Sequence, residues 1–171
     1  MITTHDSTWT ISSRKNIVAV LVTSQIAGLI MAVVVMLVFT LFLGKGPLYP
    51  VQVIGSTIFG ESALHGFNLA AFIAGLLLHQ SVALVWGGVF ALAANTLKVT
   101  TVQASIGLGL IVAIFSMIDS YVFVPAVMNA LHGVDIWHRE VPMFWNWAAH
   151  MVFGLSFGLY PKLKAMLTSV N

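Results

Sequence analysis

The chain has 171 residues, of which 59% are hydrophobic and only 7% charged, with a formal charge of +2 and no cysteine. Soluble domains carry about 25% charged residues, so this composition marks an all-α integral membrane protein and excludes both intrinsic disorder and a water-soluble core. Without cysteine there can be no disulfide, iron–sulfur cluster, thiolate metal site or covalent c-type haem, and the seven basic residues, scattered over ends and loops, form no face for nucleic acid.

Residues 1–16 are polar and are expected to stay on the cytoplasmic side. Four apolar spans follow, each able to cross a hydrocarbon core that needs about 20 helical residues. The first, 17–44, stands behind Arg14 and Lys15 and closes at Gly44-Lys45-Gly46-Pro47. It exceeds the roughly 7–15 residues of a signal-peptide core, so a retained signal anchor is expected. The second covers 72–95 with Lys98 just beyond, the third 102–127 with Pro125 near its end, and the fourth 141–159. Together they predict a four-helix transmembrane bundle over 17–164, followed by a tail at 165–171.

Segment 47–65 is apolar but broken by glycine and proline and too short to span. It is expected to lie along the outer interface or to dip in as a short helix. Trp137, Trp145 and Trp147 bracket the outer edge as an aromatic belt would. With the N-terminus inside, Arg14, Lys15, Lys98, Lys162 and Lys164 face the cytoplasm and only Lys45 and Arg139 lie outside. That asymmetry predicts N-in, C-in, with both longer loops facing outward.

Asp119 is the only carboxylate inside a span, where insertion scales put its cost at roughly 2.5–3.5 kcal/mol unless it finds a partner or a cavity. At 1.5 Å per residue it lies about 12 Å below the outer end of its helix. His150 lies about 13 Å below Val141, and His79 roughly 10 Å below Phe72. Three ionisable side chains on three helices therefore share one layer. Asn146, His150, Gly154 and Gly158 recur every four residues, a polar, small-residue stripe that favours close helix approach. Asn68, Phe72, Gly75, His79 and Trp86 share a face in the same sense.

Three readings compete for this layer. Asp119 and a histidine could form a hydrogen-bonded pair that joins helices. His79 and His150 could be opposed ligands of a b-type haem, with neighbouring glycines leaving room for the ring and Asp119 tuning one ligand. Asp119 and the histidines could instead be exchange sites on a proton or ion path, or ligands of a metal held by two histidines and a carboxylate. In the third loop, His132, Asp135 and His138 stand at intervals of three and could offer an outer copper or zinc site. Gln25, on the inner side by the same depth argument, reads as interhelical glue remote from the cluster. The methionines follow no spacing and read as packing. No phosphate loop, nucleophile elbow or zinc-protease motif occurs.

Helix 2 reads His79-Gln-Ser-Val-Ala-Leu-Val-Trp-Gly-Gly88 and helix 4 reads His150-Met-Val-Phe-Gly-Leu-Ser-Phe-Gly158. This histidine-then-glycine recurrence raises the prospect of two parallel helical hairpins related by an axis along the membrane normal. Over about 17–163 the layout also resembles a loosely defined group of small bacterial four-helix membrane proteins with no assigned activity. Those proteins share the outward amphipathic loop and the histidine-plus-glycine motifs in helices 2 and 4. The resemblance implies the layout and no reaction, and Asp119 does not map onto it.

Short loops and no soluble domain lead to the expectation of a chain that is not an enzyme on its own. The expected role is an accessory or anchoring subunit of a larger inner-membrane complex, plausibly an electron-transfer one, in contact with other membrane subunits or further copies of itself. A haem- or quinone-linked redox subunit and a small proton- or ion-coupled transporter are the alternatives.

Overall fold

In a computed structural model, which describes residues 6–169, all regular elements are helical. Helix α1 is Asp6–Phe42, and α2, Tyr49–Phe59, continues into a 3-10 turn at Gly60–Leu64. Helix α3 is Leu69–Thr96 and α4 is Val102–Ile118, which passes through a π-turn, Asp119–Phe123, into α5, Val124–His132. The short α6, Ile136–Glu140, leads to α7, Met143–Ser156, and a 3-10 turn at Phe157–Leu159 leads to α8, Tyr160–Ser169. Residues 1–5 and 170–171 of the expected polar termini, and the side chains of Arg14 and Lys15, lie outside the described residues.

Three runs are long and apolar enough to cross a membrane: Ile17–Phe42, Leu69–Thr96 and Val102–His132. Their outer faces carry large exposed aliphatic and aromatic side chains, among them Leu41, Leu92 and Phe115, which suit a lipid solvent. The fourth expected span, 141–159, is not one helix of spanning length. Helix α7 has 14 residues, fewer than the roughly 20 a crossing needs.

The interruption follows from Pro161, which has no N–H to give to the Phe157 carbonyl one turn back. The chain tightens there into the 3-10 turn, and Ser105 Oγ of α4 donates to that carbonyl instead, at 2.8 Å. Pro125 acts on the third span in the same way but with a milder result. The backbone widens by one residue into the π-turn, where the Val124 amide reaches back to the Asp119 carbonyl, and the helix continues.

Small residues bring the helices together. Gln80 and Ala83 of α3 pack at Gly28 of α1, and Ser24 of α1 packs at Gly87, so α1 and α3 run antiparallel. Helices α4 and α7 also run antiparallel, with Gly109 and Gly154 backbone to backbone. A methyl group built on Gly109 would lie 2.2 Å from the Gly154 carbonyl oxygen. Helix α2 lies antiparallel to the first turns of α3, where a methyl on Gly55 would meet the Ala71 carbonyl at 2.0 Å and one on Gly75 the Val51 carbonyl at 1.9 Å. Such close approach is how helices associate where water supplies no hydrophobic drive. The apolar segment after α1 is thus a buried short helix, the second of the two dispositions expected from the sequence.

At the end opposite α2, Phe90 of α3 stacks on Phe157 at 4.2 Å, with Tyr160 and Phe153 edge-on to the pair at 5.4 and 5.1 Å. All four rings are buried.

Candidate functional site

His79, Asp119 and His150, from α3, the π-turn and α7, line a single cavity of about 180 Å³. Met31 to Phe39 of α1 form one wall, and Pro50, Val51, Ile54 and Thr57 of α2 form another. Along α3 the lining runs from Leu76 to Trp86, about 15 Å of helix at 1.5 Å per residue. The lining is mainly aliphatic and aromatic, with few polar groups: Thr57 of α2, His79 of α3, Ser116 of α4, Asp119 and Ser120 of the π-turn, and Asn146 and His150 of α7.

Each ionisable group is held by a specific contact. The His79 Nε2–H donates to the Gly28 carbonyl of α1 at 2.9 Å. The His150 Nδ1–H donates to the Asn146 carbonyl of its own helix, also at 2.9 Å. A carbonyl only accepts, so each bonded nitrogen carries the hydrogen, and the other nitrogen of the neutral ring is an acceptor. Asp119 Oδ2 accepts from the indole Nε1–H of Trp86, a short bond between the π-turn and α3. Asp119 thus has a partner, and that partner is a tryptophan; neither histidine hydrogen-bonds it. Trp86 stands two turns beyond His79 on the face that the sequence assigns to both, and that spacing was the available sign.

Three further polar groups belong to lining residues; Asn146 was legible as part of the polar stripe with His150, whereas Thr57 and Trp137 were not. Thr57 Oγ1, Trp137 Nε1 and Asn146 Nδ2 are buried at the cavity and make no hydrogen bond among the described residues. Asn146 Oδ1 accepts a long bond from Ser120 Oγ at 3.4 Å, which leaves its amide N–H₂ undirected by the protein. Trp137 and Trp145 turn inward to line the cavity, whereas Trp147 stays exposed and donates to the Tyr121 hydroxyl at 2.9 Å. Two of the three tryptophans expected in the belt thus line the cavity, Trp137 on the brief α6 that follows the turn at Gly133 and Trp145 on α7.

The glycines next to the histidines leave no room for a haem ring. Gly87 is occupied by Ser24, Gly154 by Gly109 and Gly158 by Ile106. Gly88 opens outward with nothing within 4 Å. The Nε2 of His79 is also engaged by Gly28, and 180 Å³ is below the roughly 300–1,000 Å³ of pockets for drug-sized ligands. This arrangement does not fit a porphyrin between His79 and His150.

The expected outer metal triad is also not assembled. His132 turns to α2, where its Nε2 meets the Thr57 carbonyl at 3.1 Å and its ring packs on Gly60. Asp135 and His138 pair with each other at 2.6 Å, and Asp135 also caps α6 by accepting the His138 amide. No three His, Asp or Glu side chains among the described residues come together to hold a metal. Gln25 does join helices, since its Nε2 donates to the Gln80 carbonyl at 3.1 Å, but that places it beside His79 and not remote from the layer.

Above the cavity an ionic cluster ties loop, α2 and α6 together. The Tyr49 hydroxyl donates to Glu140 Oε2 at 2.7 Å, Lys45 lies 3.8 Å from the same oxygen, and Arg139 bridges Glu140 and Glu61. Burial alone would raise the Glu140 carboxyl, but the Tyr49 and Arg139 hydrogen bonds and the nearby Lys45 and Arg139 charges hold it below the usual range. Tyr49 is pushed the other way, by burial first and then by the Glu140 carboxylate.

Comparison with protein-family models, curated proteins and solved structures finds no match for this chain.

Proposed function

We propose that the chain is a small accessory subunit of a bacterial inner-membrane complex, whose own part is to hold a small apolar molecule bearing hydrogen-bond-accepting oxygen. The observation behind this reading is the cavity itself. It is apolar along its length, yet His79, Asp119 and His150 line it, and so do Trp137 and Asn146, whose buried side-chain N–H groups have no partner among the described residues. Polar groups at membrane depth are costly, and buried donors without partners add roughly 1–3 kcal/mol each, which a fitting acceptor would relieve. A cavity of about 150 Å³ accepts benzene, so 180 Å³ suits a single ring with small substituents.

In this reading α7, its 3-10 turn and the start of α8 make the fourth crossing, with both chain ends inside. The anchoring helices meet neighbouring subunits through their exposed apolar faces, and electron transfer is the setting that an oxygen-bearing aromatic ligand suits best.

Purification in mild detergent, followed by mass analysis of the organic extract, tests the proposal. A colourless protein that carries such a molecule in near-stoichiometric amount, and loses it in Ala149→Phe at the buried cavity wall, supports it. A clean extract from folded protein contradicts it. A Soret band abolished by His150→Ala would restore the haem reading.

A further inference from the structure

We infer that the bound molecule is a quinone-class head group, taken up in both its oxidised and its reduced form. This inference rests on the intramembrane-ligand reading above and narrows its chemistry. The two forms differ at their oxygens: a quinone carbonyl only accepts, whereas a quinol hydroxyl also donates. A site that holds both must present donors and acceptors together.

The cavity does so. Asn146 Nδ2 and Trp137 Nε1 are donors with no partner within the described chain. The acceptors are His150 Nε2, His79 Nδ1 and Asp119 Oδ1. In each case the opposite atom of the same group is already bonded, His150 Nδ1 to Asn146, His79 Nε2 to Gly28 and Asp119 Oδ2 to Trp86. Those second bonds fix the rings and the carboxylate in orientation, so the acceptor atoms are aimed without help from a ligand. The Thr57 hydroxyl can serve in either sense.

Other occupants use less of this set. A lipid ester oxygen would engage the donors and leave the three acceptors idle, and a plain acyl chain would engage neither. An aromatic ring also matches the walls, where Trp86, Trp137, Trp145 and Phe39 stand around the space. Aromatic neighbours favour flat aromatic ligands by offset or edge-on contact.

The test uses the full chain in phosphatidylcholine nanodiscs and follows the thermal unfolding midpoint, which rises with any ligand that binds the native state. Three probes are compared: 2-decyl-1,4-benzoquinone, its quinol kept reduced under argon, and decylbenzene. Quinone and quinol are expected to raise the midpoint and decylbenzene to leave it nearly unchanged. Asn146→Leu and Trp137→Phe should each weaken quinone binding about tenfold, the usual worth of a lost hydrogen bond in a dry site. His150→Phe should weaken the quinol more than the quinone. Trp137→Phe removes only one N–H and keeps an aromatic ring, so it serves should Asn146→Leu not fold. Equal binding of decylbenzene and the quinone, insensitive to these changes, overturns the quinone assignment and leaves the cavity reading intact. If none of the three probes binds, both fall.

Discussion

The bundle is packed in two different ways along its length. At one end Phe90, Phe153, Phe157 and Tyr160 close a dry aromatic stack, with Gly109 and Gly154 in backbone contact one turn away. From Trp86, one turn before Phe90, and from Phe153 itself, the bundle opens around a cavity with polar groups on its wall. Packing of the first kind holds a bundle together in lipid. Packing of the second kind weakens it and needs another reason to exist. On the proposed reading, the polar layer serves a ligand more than it serves the packing of this fold.

Changes at each end should therefore differ in kind. The largest effect is expected from Phe157→Ala, which removes a fully buried ring from the stack and should destabilise by about 3–5 kcal/mol in thermal or denaturant unfolding. Gly154→Ala comes next. Its new methyl would lie 2.7 Å from the Gly109 carbonyl oxygen, and separating the helices should cost about 1–3 kcal/mol by the same measurement. On the cavity side, Asp119→Leu orphans the Trp86 N–H and should cost about 1–3 kcal/mol, whereas Asp119→Asn keeps an acceptor and should cost under about 1 kcal/mol. If Asp119→Asn unfolds the protein as readily as Phe157→Ala, the polar layer is glue after all.

The ionic cluster around Glu140 gives the smallest effects. Glu140 is held below its ordinary range, so its contribution is complete above the unfolded carboxylate pKa and disappears as pH falls through the lower folded value. Stability measured against pH should decline across that acidic window, and Tyr49→Phe, which removes the 2.7 Å bond to Glu140, should shrink the decline at a cost of about 1 kcal/mol. Arg139 is half-exposed, and Arg139→Ala should cost less than about 1 kcal/mol.

Hydropathy and helical rise made the spans and the layer of Asp119, His79 and His150 legible, because both depend on periodicity alone. The partners were not legible. Trp86 reaches Asp119 from another helix, Trp137 folds back over the cavity on a five-residue helix, and Thr57 belongs to a segment readable only as interfacial or short-helical. Contacts of that kind depend on where loops return, and no period in the chain encodes it. The break in the fourth span was closer to hand, since Gly158 and Pro161 stand in the sequence, but a hydropathy average passes over them.

The most direct measurement is a crystallographic soak with bromobenzene, read by the anomalous signal of bromine. A peak enclosed by His79, Asp119 and His150 in the wild-type chain, absent in Ala149→Phe, is the expected result. A wild-type map with no peak there, with the imidazoles turned to lipid or other side chains filling the space, would contradict the shared cavity and the ligand drawn from it.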